Sequence, residues 1–595
     1  MKKIILLLAA FAAFVACKND PKEEEKVVMK TPIDSVFQTY YNESLKLYPL
    51  SATYAGDNRY NDYLPNDLTV SFKQQQTDFY TKYVSKLKEY EKDSLSKEQQ
   101  MSYDILLWEC ETSLNALQYP TELMPINQFS SMPQTIGQLA GGTSAQPFKT
   151  VEDYKNWLKR LDDYVVWCDT AIVNMKKGIE IGYVLPKSLT QKVIPQMASF
   201  SSGEPTEHLF YTPAKNFPDS FSQTEKDSLA KAYESMVAQK IIPTYKKLED
   251  FFTDTYLPAS RETSGIKAIP RGNAYYGHQI QVYTTTSLEA DSIHRLGLSE
   301  VKRLEKEMKK VMTKVRFKGE LKQFFNAVRT SKELMPFDKP EEVIENFNAI
   351  HEKMKPQLSK LFDLTPKTEF EVRRTEAFRE ASASAEYNPG SLDGTRPGIF
   401  YVPIPDVKKY NVYSDEDLFL HEAIPGHHYQ ISLQQENESL PDFRKTLWYS
   451  AYGEGWALYS ESLGKELGLY DDPYQYFGML SAEMHRAIRL VVDTGIHTKG
   501  WTREEAIQYS LDHEAESEES IIAEIERYMA WPGQALSYKI GQLKIIQLRN
   551  KAQKELGDKF DIKTFHNKVL ESGCIPLKLL EAKINNWIKT SKNAA

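Results

Sequence analysis

Residues 298–315 read LSEVKRLEKEMKKVMTKV, and residues 151–168 repeat the same pattern of apolar residues every three or four positions. Spacing of this kind places apolar side chains on one face of an α-helix. The two stretches therefore predict long amphipathic helices and a mostly α fold. The apolar positions are Leu298, Val301, Leu304, Met308, Val311 and Val315 in the first stretch, and Val151, Tyr154, Leu158, Leu161, Val165 and Cys168 in the second.

Strand-like sequence is scarce in the rest of the chain. Residues 274–285 (AYYGHQIQVYTT) and 398–403 (GIFYVP) are the segments richest in aromatic and β-branched residues. Helix starts are marked at Ser414, which three acids follow, and at Thr502, which forms a capping box with Glu505. We expect a few short edge strands in an otherwise helical body.

The N-terminus has the composition of a secretory signal. Residues 1–20, MKKIILLLAAFAAFVACKND, combine two lysines, an apolar stretch and Cys17 directly after small residues. This pattern predicts a signal peptide at residues 1–16 and a lipid-modified Cys17. The alternative is a plain signal peptide with an ordinary cysteine.

The residues after Cys17 bear on location and organisation. Some bacteria read an aspartate directly after the lipidated cysteine as a signal for retention in the inner membrane, and here that position is Lys18. We therefore expect a protein of the cell envelope that is anchored to the outer membrane. The sequence leaves open whether it is on the periplasmic or the surface face. Residues 17–30 are polar and charged, which is typical of a flexible tether. Residues 31–265 are predicted to form an N-terminal helical lobe, and residues 266–595 a C-terminal catalytic lobe.

Composition excludes several classes of protein. The net charge is −8 with both signs mixed throughout, so no nucleic-acid partner is expected. Cys110, Cys168 and Cys574 are scattered, which argues against a disulfide framework or a thiolate zinc site. No later segment approaches the roughly 18 apolar residues that a transmembrane helix needs. Membrane attachment is therefore expected through the N-terminal lipid alone, and the oligomeric state is left open.

Residues 421–428, HEAIPGHH, concentrate side chains that bind metals. Zinc peptidases usually present His-Glu-x-x-His on a helix, because residues four apart share a face and can both reach one ion. Here Pro425 stands four residues after His421, and on a straight helix neither His427 nor His428 could share an ion with His421. If the helix bulges at the Pro-Gly pair, His427 falls where the second ligand belongs, with His428 as the alternative.

A third ligand is expected from residues 454–461, EGWALYSE. Glu454 and Glu461 are seven residues apart and so lie along one helix face. We predict that Glu454 binds one Zn²⁺ per chain and that Glu461 orients a ligating histidine or is an alternative ligand. Glu422 is the predicted general base, taking a proton from a water held by the metal. The competing interpretation is a kinked helix with ordinary, partly buried histidines.

A donor for the tetrahedral oxyanion is expected from a downstream helix. The candidates are His497, Tyr528 and Tyr538. Arg486 and Arg489 stand at helical spacings from His497 and, with Tyr528, are candidates for binding substrate. They could equally form a salt-bridged helix surface, and Tyr538 could equally be a core tyrosine.

The combined motifs resemble a known family. HEAIPGHH, EGWALYSE, RLVVDTGIH with GWTREEA, and ERYMAWPGQALSYKIG are similar to the bacterial domain-of-unknown-function 885 family, many of whose members are predicted lipoproteins. The similarity covers most of the chain, from TTTSLEADSIHRLGL through GTRPGIFYVP to FHNKVLESGCIPL. It says more about the fold than about the substrate.

A more distant similarity bears on mechanism. YGEGWALYSE resembles the Asn-Glu-Gly-Phe-Ala segment of aminopeptidase-N-like gluzincins, in which the glutamate is the third zinc ligand, and this implies the same role for Glu454. HEAIPGH resembles their His-Glu-x-x-His helix with two residues inserted. The resemblance implies a helical body of two lobes around a deep channel, with residues 398–403 as an edge strand that pairs with an extended peptide.

Three functions are compatible with these features. The first is a secreted, membrane-tethered zinc metallopeptidase that acts on peptides or peptide-like amides, from either end or internally. The second is another metal-dependent amidase or esterase acting on an envelope compound. The third is a binding lipoprotein without catalysis. An open ligand position beside Glu422 favours the two hydrolases, and a closed four-ligand site favours the third.

Overall fold

The structure is a computed structural model that describes residues 31–142, 144–376, 380, 383–391 and 396–593. The predicted signal peptide, the lipidated Cys17 and the tether at residues 17–30 lie outside the described residues. Among the helices that the structure describes, none combines the length and the apolar character of a transmembrane span.

α-Helices dominate the described chain, as the sequence predicts. Up to residue 265 they are α1 (Ile33–Leu47), α2 (Pro49–Tyr54), α3 (Val70–Lys88), α4 (Lys97–Ala116), α5 (Met132–Ala140), α6 (Val151–Ile181), α7 (Lys187–Ala198), α8 (Thr212–Lys215), α9 (Gln223–Met236), α10 (Ile242–Asp250) and α11 (Leu257–Ala259). From residue 266 onward they are α12 (Gly272–Thr284), α13 (Ala290–Lys314), α14 (Leu321–Thr330), α15 (Pro340–Leu361), α16 (Asp415–Glu422), α17 (His427–Gln435), α18 (Asp442–Lys445), α19 (Ser450–Ser462), α20 (Pro473–Thr494), α21 (Arg503–His513), α22 (Glu518–Ala530), α23 (Ser537–Leu556), α24 (Ile562–Leu570) and α25 (Leu577–Asn593).

The two stretches with strong helical periodicity lie in the two longest of these helices. Residues 151–168 begin α6, where the Thr150 side chain accepts a hydrogen bond from the backbone N–H of Asp153. Residues 298–314 form most of α13, whose apolar face is buried. The capping box at Thr502 is also confirmed at the start of α21. Periodicity identifies the first two of these helices and a capping box the third, so the mostly α prediction is confirmed.

The strand-like segment 274–285 is a helix, so that prediction was wrong. It forms α12, in which Tyr276, Ile280 and Thr284 are buried at four-residue spacing. Aromatic and β-branched residues favour strands only where they pack on a sheet, and here they pack between helices. The four-residue spacing, rather than composition, indicated the correct structure.

Three short strands form one small sheet. They are β1 (Phe370–Arg374), β2 (Glu386–Asn388) and β3 (Gly398–Val402), in the order β1-β3-β2. β3 is parallel to β1 and antiparallel to β2. The predicted strand at residues 398–403 is thus present, but it has a neighbour on each side and is not an edge strand. The edge that faces the cavity described below belongs to β2.

The buried apolar residues form two clusters. The smaller one is drawn from residues 64–256 and centres on α6, with Trp157 and Tyr164 fully buried. The larger one combines residues 266–588 with α1, α3 and α4, where Phe37 and Tyr83 are buried. The first helices therefore pack with the C-terminal half. The two buried clusters do not divide the chain at residue 265. The division into two lobes at that residue stays a prediction.

Candidate metal centre and its cavity

The HEAIPGHH segment is divided between two helices and does not form a bulge within one helix. α16 ends at Glu422 and α17 begins at His427, and residues 423–426 connect them. Ala423 (φ −103°, ψ −101°) and Gly426 (φ −75°, ψ −130°) both have non-helical backbone angles. This segment has two residues more than a His-Glu-x-x-His motif. The extra residues lie in a break between two helices, so the predicted bulge within one helix was wrong.

The connection between α16 and α17 is tightly held. A Cβ atom on Gly426 would lie 1.9 Å from the carbonyl oxygen of His421, so only glycine fits there. The indole Nε1 of Trp456, on α19, donates a hydrogen bond of 2.8 Å to the carbonyl oxygen of Pro425. The helix that carries Glu454 therefore fixes the break between the two histidines.

The break brings the three predicted ligands together. The Nε2 atoms of His421 and His427 lie 3.6 and 3.4 Å from Oε2 of Glu454. One possible ligand atom from each residue lies within 4.8 Å of the other two. Two imidazoles and one carboxylate are the donor set of many catalytic zinc sites, which keep a further position open. The residues present therefore fit a zinc ion.

Glu461 holds the first of these ligands in place. Its Oε1 accepts a hydrogen bond of 2.6 Å from Nδ1 of His421, which leaves Nε2 directed at the cluster. Asp417 lies behind this pair, where burial and the neighbouring Glu461 carboxylate raise the pKa of Asp417 well above its usual value. A carboxylate hydrogen-bonded to the far nitrogen of an imidazole is an arrangement that strengthens a histidine ligand.

The two glutamates nearest the histidines have different electrostatic surroundings. Burial would raise the pKa of Glu454, but the adjacent His427 and His421 hold it well below the usual range. Burial raises the pKa of Glu422, and the same histidines offset only part of that effect. Glu454 is therefore suited to remain an ionised ligand, whereas Glu422 has the greater affinity for a proton.

His428 takes no part in the cluster. Its Nδ1 accepts a hydrogen bond of 2.9 Å from the Tyr387 hydroxyl, and its ring centroid lies 5.0 Å from that of Phe370. Burial lowers the pKa of His428 to about 4, so the ring is neutral. His428 therefore attaches α17 to strands β1 and β2, and His427 is the histidine that faces His421.

A cavity of about 1090 Å³ lies over the cluster. His421, Glu422, His427 and Glu454 all line it. The volume exceeds the roughly 300–1,000 Å³ of a typical small-molecule pocket and has room for several residues of an extended peptide. The β2 edge lines the cavity as well, through Glu386 and Tyr387.

The structure also brings Arg486, Arg489 and Tyr538 to this cavity. The Cζ atom of Arg489 lies 4.4 Å from the centroid of the Tyr538 ring, so the two side chains form a stacked pair. Further lining residues were not predicted from the sequence, and Glu524 and Arg527 are among them. Glu524 and Arg527 are three residues apart, a spacing that places two side chains on one face of a helix.

His497 and Tyr528 lie behind the cavity lining, which corrects both assignments. His497 is fully buried, with Nδ1 accepting from the backbone N–H of Ile266 and Nε2 donating to the carbonyl oxygen of Tyr528, each at 3.0 Å. The Tyr528 hydroxyl accepts from Nε of Arg489 at 2.9 Å and donates to Glu524 at 2.7 Å. The Tyr528 side chain supports Arg489 and Glu524, which do line the cavity, whereas the His497 side chain is bonded to the backbone of Ile266 and Tyr528.

Two glycines let α19 approach α23. A Cβ on Gly455 would lie 2.4 Å from Cα of Gly541, and a Cβ on Gly541 would lie 1.8 Å from the carbonyl oxygen of Ala451. The glycine after Glu454 thus permits a close contact between the two helices. The position of Glu454 depends on this contact, since α19 carries the residue.

Gly541→Ala is expected to lower the free energy of unfolding by about 2 kcal/mol, because the added methyl group forces two helix backbones apart. Gly277→Ala is the matched control, since a Cβ at Gly277 on α12 meets nothing within 4 Å. That control should be neutral or slightly stabilising. Thermal and denaturant unfolding of both variants provide the measurement, and equal midpoints would contradict the packing argument.

Comparisons with known proteins agree on a family and a fold. A family model described as "Bacterial protein of unknown function (DUF885)" matches residues 49–584. No curated protein matches the chain significantly.

Two solved structures are similar over almost their whole length. The crystal structure of the "putative lipoprotein" from Colwellia psychrerythraea has 29% sequence identity and a TM-score of 0.83, covering 94% of this chain and 99% of that one. A "putative lipoprotein of unknown function" from Shewanella oneidensis has 19% identity and a TM-score of 0.74, covering 92% and 99%. The second similarity concerns the fold alone.

Proposed function

This chain belongs to the DUF885 family of bacterial proteins, and we propose that it is a zinc-dependent hydrolase of peptide bonds. The observation that carries the proposal is the convergence of His421, His427 and Glu454 at the wall of a large cavity. Glu422 lines the same cavity beside them. Three ligands and an adjacent carboxylate are the arrangement of a hydrolytic rather than a structural zinc site.

Each residue of the site has a definite task in this proposal. His421, His427 and Glu454 would hold a zinc ion, which when bound polarises a carbonyl group and makes water more acidic. Glu422 takes the proton of the attacking water and delivers it to the departing amine. The C–N bond breaks, the hydroxyl stays on the acyl carbon and the proton goes to nitrogen. Burial favours this role, because a raised pKa makes Glu422 a stronger base.

Tyr538 is the proposed donor to the oxyanion. Of the three predicted candidates, His497, Tyr528 and Tyr538, it is Tyr538 that lines the cavity. Its ring is held by Arg489, and its hydroxyl lies 3.5 Å from Nη2 of Arg527. A phenol supported by two guanidinium groups is a favourable hydrogen-bond donor toward developing negative charge.

The proposal is tested by metal analysis of the purified protein lacking residues 1–17, combined with digestion of a peptide mixture. We expect about one zinc per chain and cleavage that a chelator abolishes and added zinc restores. Zinc without cleavage would contradict a peptidase and favour an amidase or esterase acting on another envelope compound. The absence of bound metal would favour a binding lipoprotein.

We further propose that Cys17 is lipid-modified and anchors the protein in the outer membrane. The sequence before Cys17 supports this, and so does the description of the Colwellia relative as a lipoprotein. Cys17→Ser should abolish incorporation of labelled palmitate and move the protein out of the membrane fraction. Unchanged labelling in that variant would contradict the assignment.

A further inference from the structure

One wall of the cavity carries an excess of positive charge. Arg486 and Arg489 on α20 and Arg527 on α22 all line it, and we call these three residues the arginine wall. The carboxylates on the same part of the lining are Glu516 and Glu524. The metal cluster and Glu422 line the same cavity, so a substrate at the metal centre can also contact the arginine wall.

Arg489 is fixed in place but has spare donors. It is 5% exposed, its Nη2 donates to Glu524 at 2.9 Å and its Nε donates to the Tyr528 hydroxyl at 2.9 Å. Its Nη1 is buried without a hydrogen-bond partner among the described residues. The guanidinium is therefore held by Glu524 and Tyr528, and one of its nitrogens has no partner among the described residues.

Arg486 and Arg527 show the same pattern. The Nε atom of each is buried and has no hydrogen-bond partner in the part of the chain that the structure describes. Arg486 donates to the carbonyl oxygen of Ala482 at 3.2 Å and forms no ion pair with any described residue. Arg486 and Glu422, the predicted general base, line the same cavity.

We infer that the arginine wall binds the C-terminal carboxylate of a peptide substrate, so that the protein removes short fragments from the C-terminal end. This inference rests on the proposed hydrolytic function. A guanidinium group matches the planar carboxylate in shape and charge and donates hydrogen bonds to its oxygens. A peptide carries such a group at its C-terminus or on Asp and Glu side chains, and the experiment separates these two sources.

The experiment measures peptide binding to the zinc-loaded Glu422→Gln protein by calorimetry, where hydrolysis does not interfere. Three peptides of one apolar sequence are compared: the free acid, the C-terminal amide, and an amide with Glu as its last residue. We expect the free acid to bind about ten- to a hundredfold more tightly than either amide. Equal binding of acid and amide, or no binding of the acid, would overturn the inference. So would equal binding of the acid and the Glu-containing amide.

Arg486→Gln in the same background tests the residues themselves. This variant should reduce the preference for the acid over the amide by about tenfold. Arg295→Gln removes an exposed arginine from α13 and is the matched control, which should keep the full preference. Arg489→Gln provides a second test, with thermal unfolding as a check on its folding. A preference that survives in both folded cavity variants would overturn the inference.

Failure of this inference can be distinguished from failure of the proposed function. Tight acid-selective binding in a protein that cleaves no peptide would support the arginine wall and contradict the peptidase. Chelator-sensitive cleavage of acid and amide peptides at equal rates would support the peptidase and contradict the arginine wall.

Discussion

Glu422→Gln is expected to keep about one zinc per chain and to lose about a thousandfold in kcat/KM toward peptides. Glutamine has nearly the same shape as glutamate but cannot take a proton from the attacking water. Glu422 is not one of the three residues whose ligand atoms cluster, so its replacement leaves the metal donors unchanged. The measurements are metal analysis by mass spectrometry and steady-state kinetics on the same preparation.

Glu438→Gln is the control for this prediction, because Glu438 is an exposed glutamate shortly after α17. It should retain both zinc and activity. A Glu422→Gln protein with full activity would contradict the assignment of the general base. Loss of zinc from that variant would instead identify Glu422 as a ligand.

His427→Ala is expected to reduce bound zinc from about one per chain to nearly none, with complete loss of hydrolysis. The Nε2 of His427 lies 3.4 Å from Oε2 of Glu454, and its removal leaves only two ligands. His421→Ala and Glu454→Ala should have the same effect for the same reason. Zinc content after dialysis against a weak chelator distinguishes these variants from the native protein.

His428→Ala is the matched comparison, since it removes the neighbouring imidazole from the same helix. It should keep its zinc, because His428 is directed at the sheet, but lose about 1–3 kcal/mol of unfolding free energy with the partner of the Tyr387 hydroxyl. The reverse pattern, with zinc lost in His428→Ala and kept in His427→Ala, would show that the ligand assignment is wrong.

The sequence predicts helices well where periodicity or an end signal marks them. Periodicity marks α6 and a capping box marks the start of α21, and both agree with the structure. Residues 274–285 have the composition of a strand and the spacing of a helix, and packing between helices decided the outcome. The order of the sheet could not be predicted, because strand pairing depends on contacts between segments far apart in the chain.

The candidate site, too, could be predicted from the sequence only in part. His421 and Glu454 could be identified because the motif around each is local. The path of the chain between His421 and His427 could not, because a bulge and a full break give the same sequence signal at Pro-Gly. His497 and Tyr528 were candidates because of their residue type and their place downstream of the motifs, and neither property says whether a side chain lines the cavity or lies behind its lining. The hydrogen bonds between His497 and Ile266 and between Tyr528 and Glu524 could be identified only in the folded structure.

The break between α16 and α17 changes what a motif search for this kind of site should require. When both histidines lie on one continuous helix, the turn of that helix fixes their separation, and an insertion would misalign them. Here each histidine is positioned by its own helix, and the connection is fastened by Trp456. The number of residues between them is therefore set by how the connection closes and not by the turn of one helix. A pattern based on a fixed interval would overlook such chains, whereas a pair of histidines around a variable Pro-Gly turn, followed by a Glu-Gly-Trp helix, would find them.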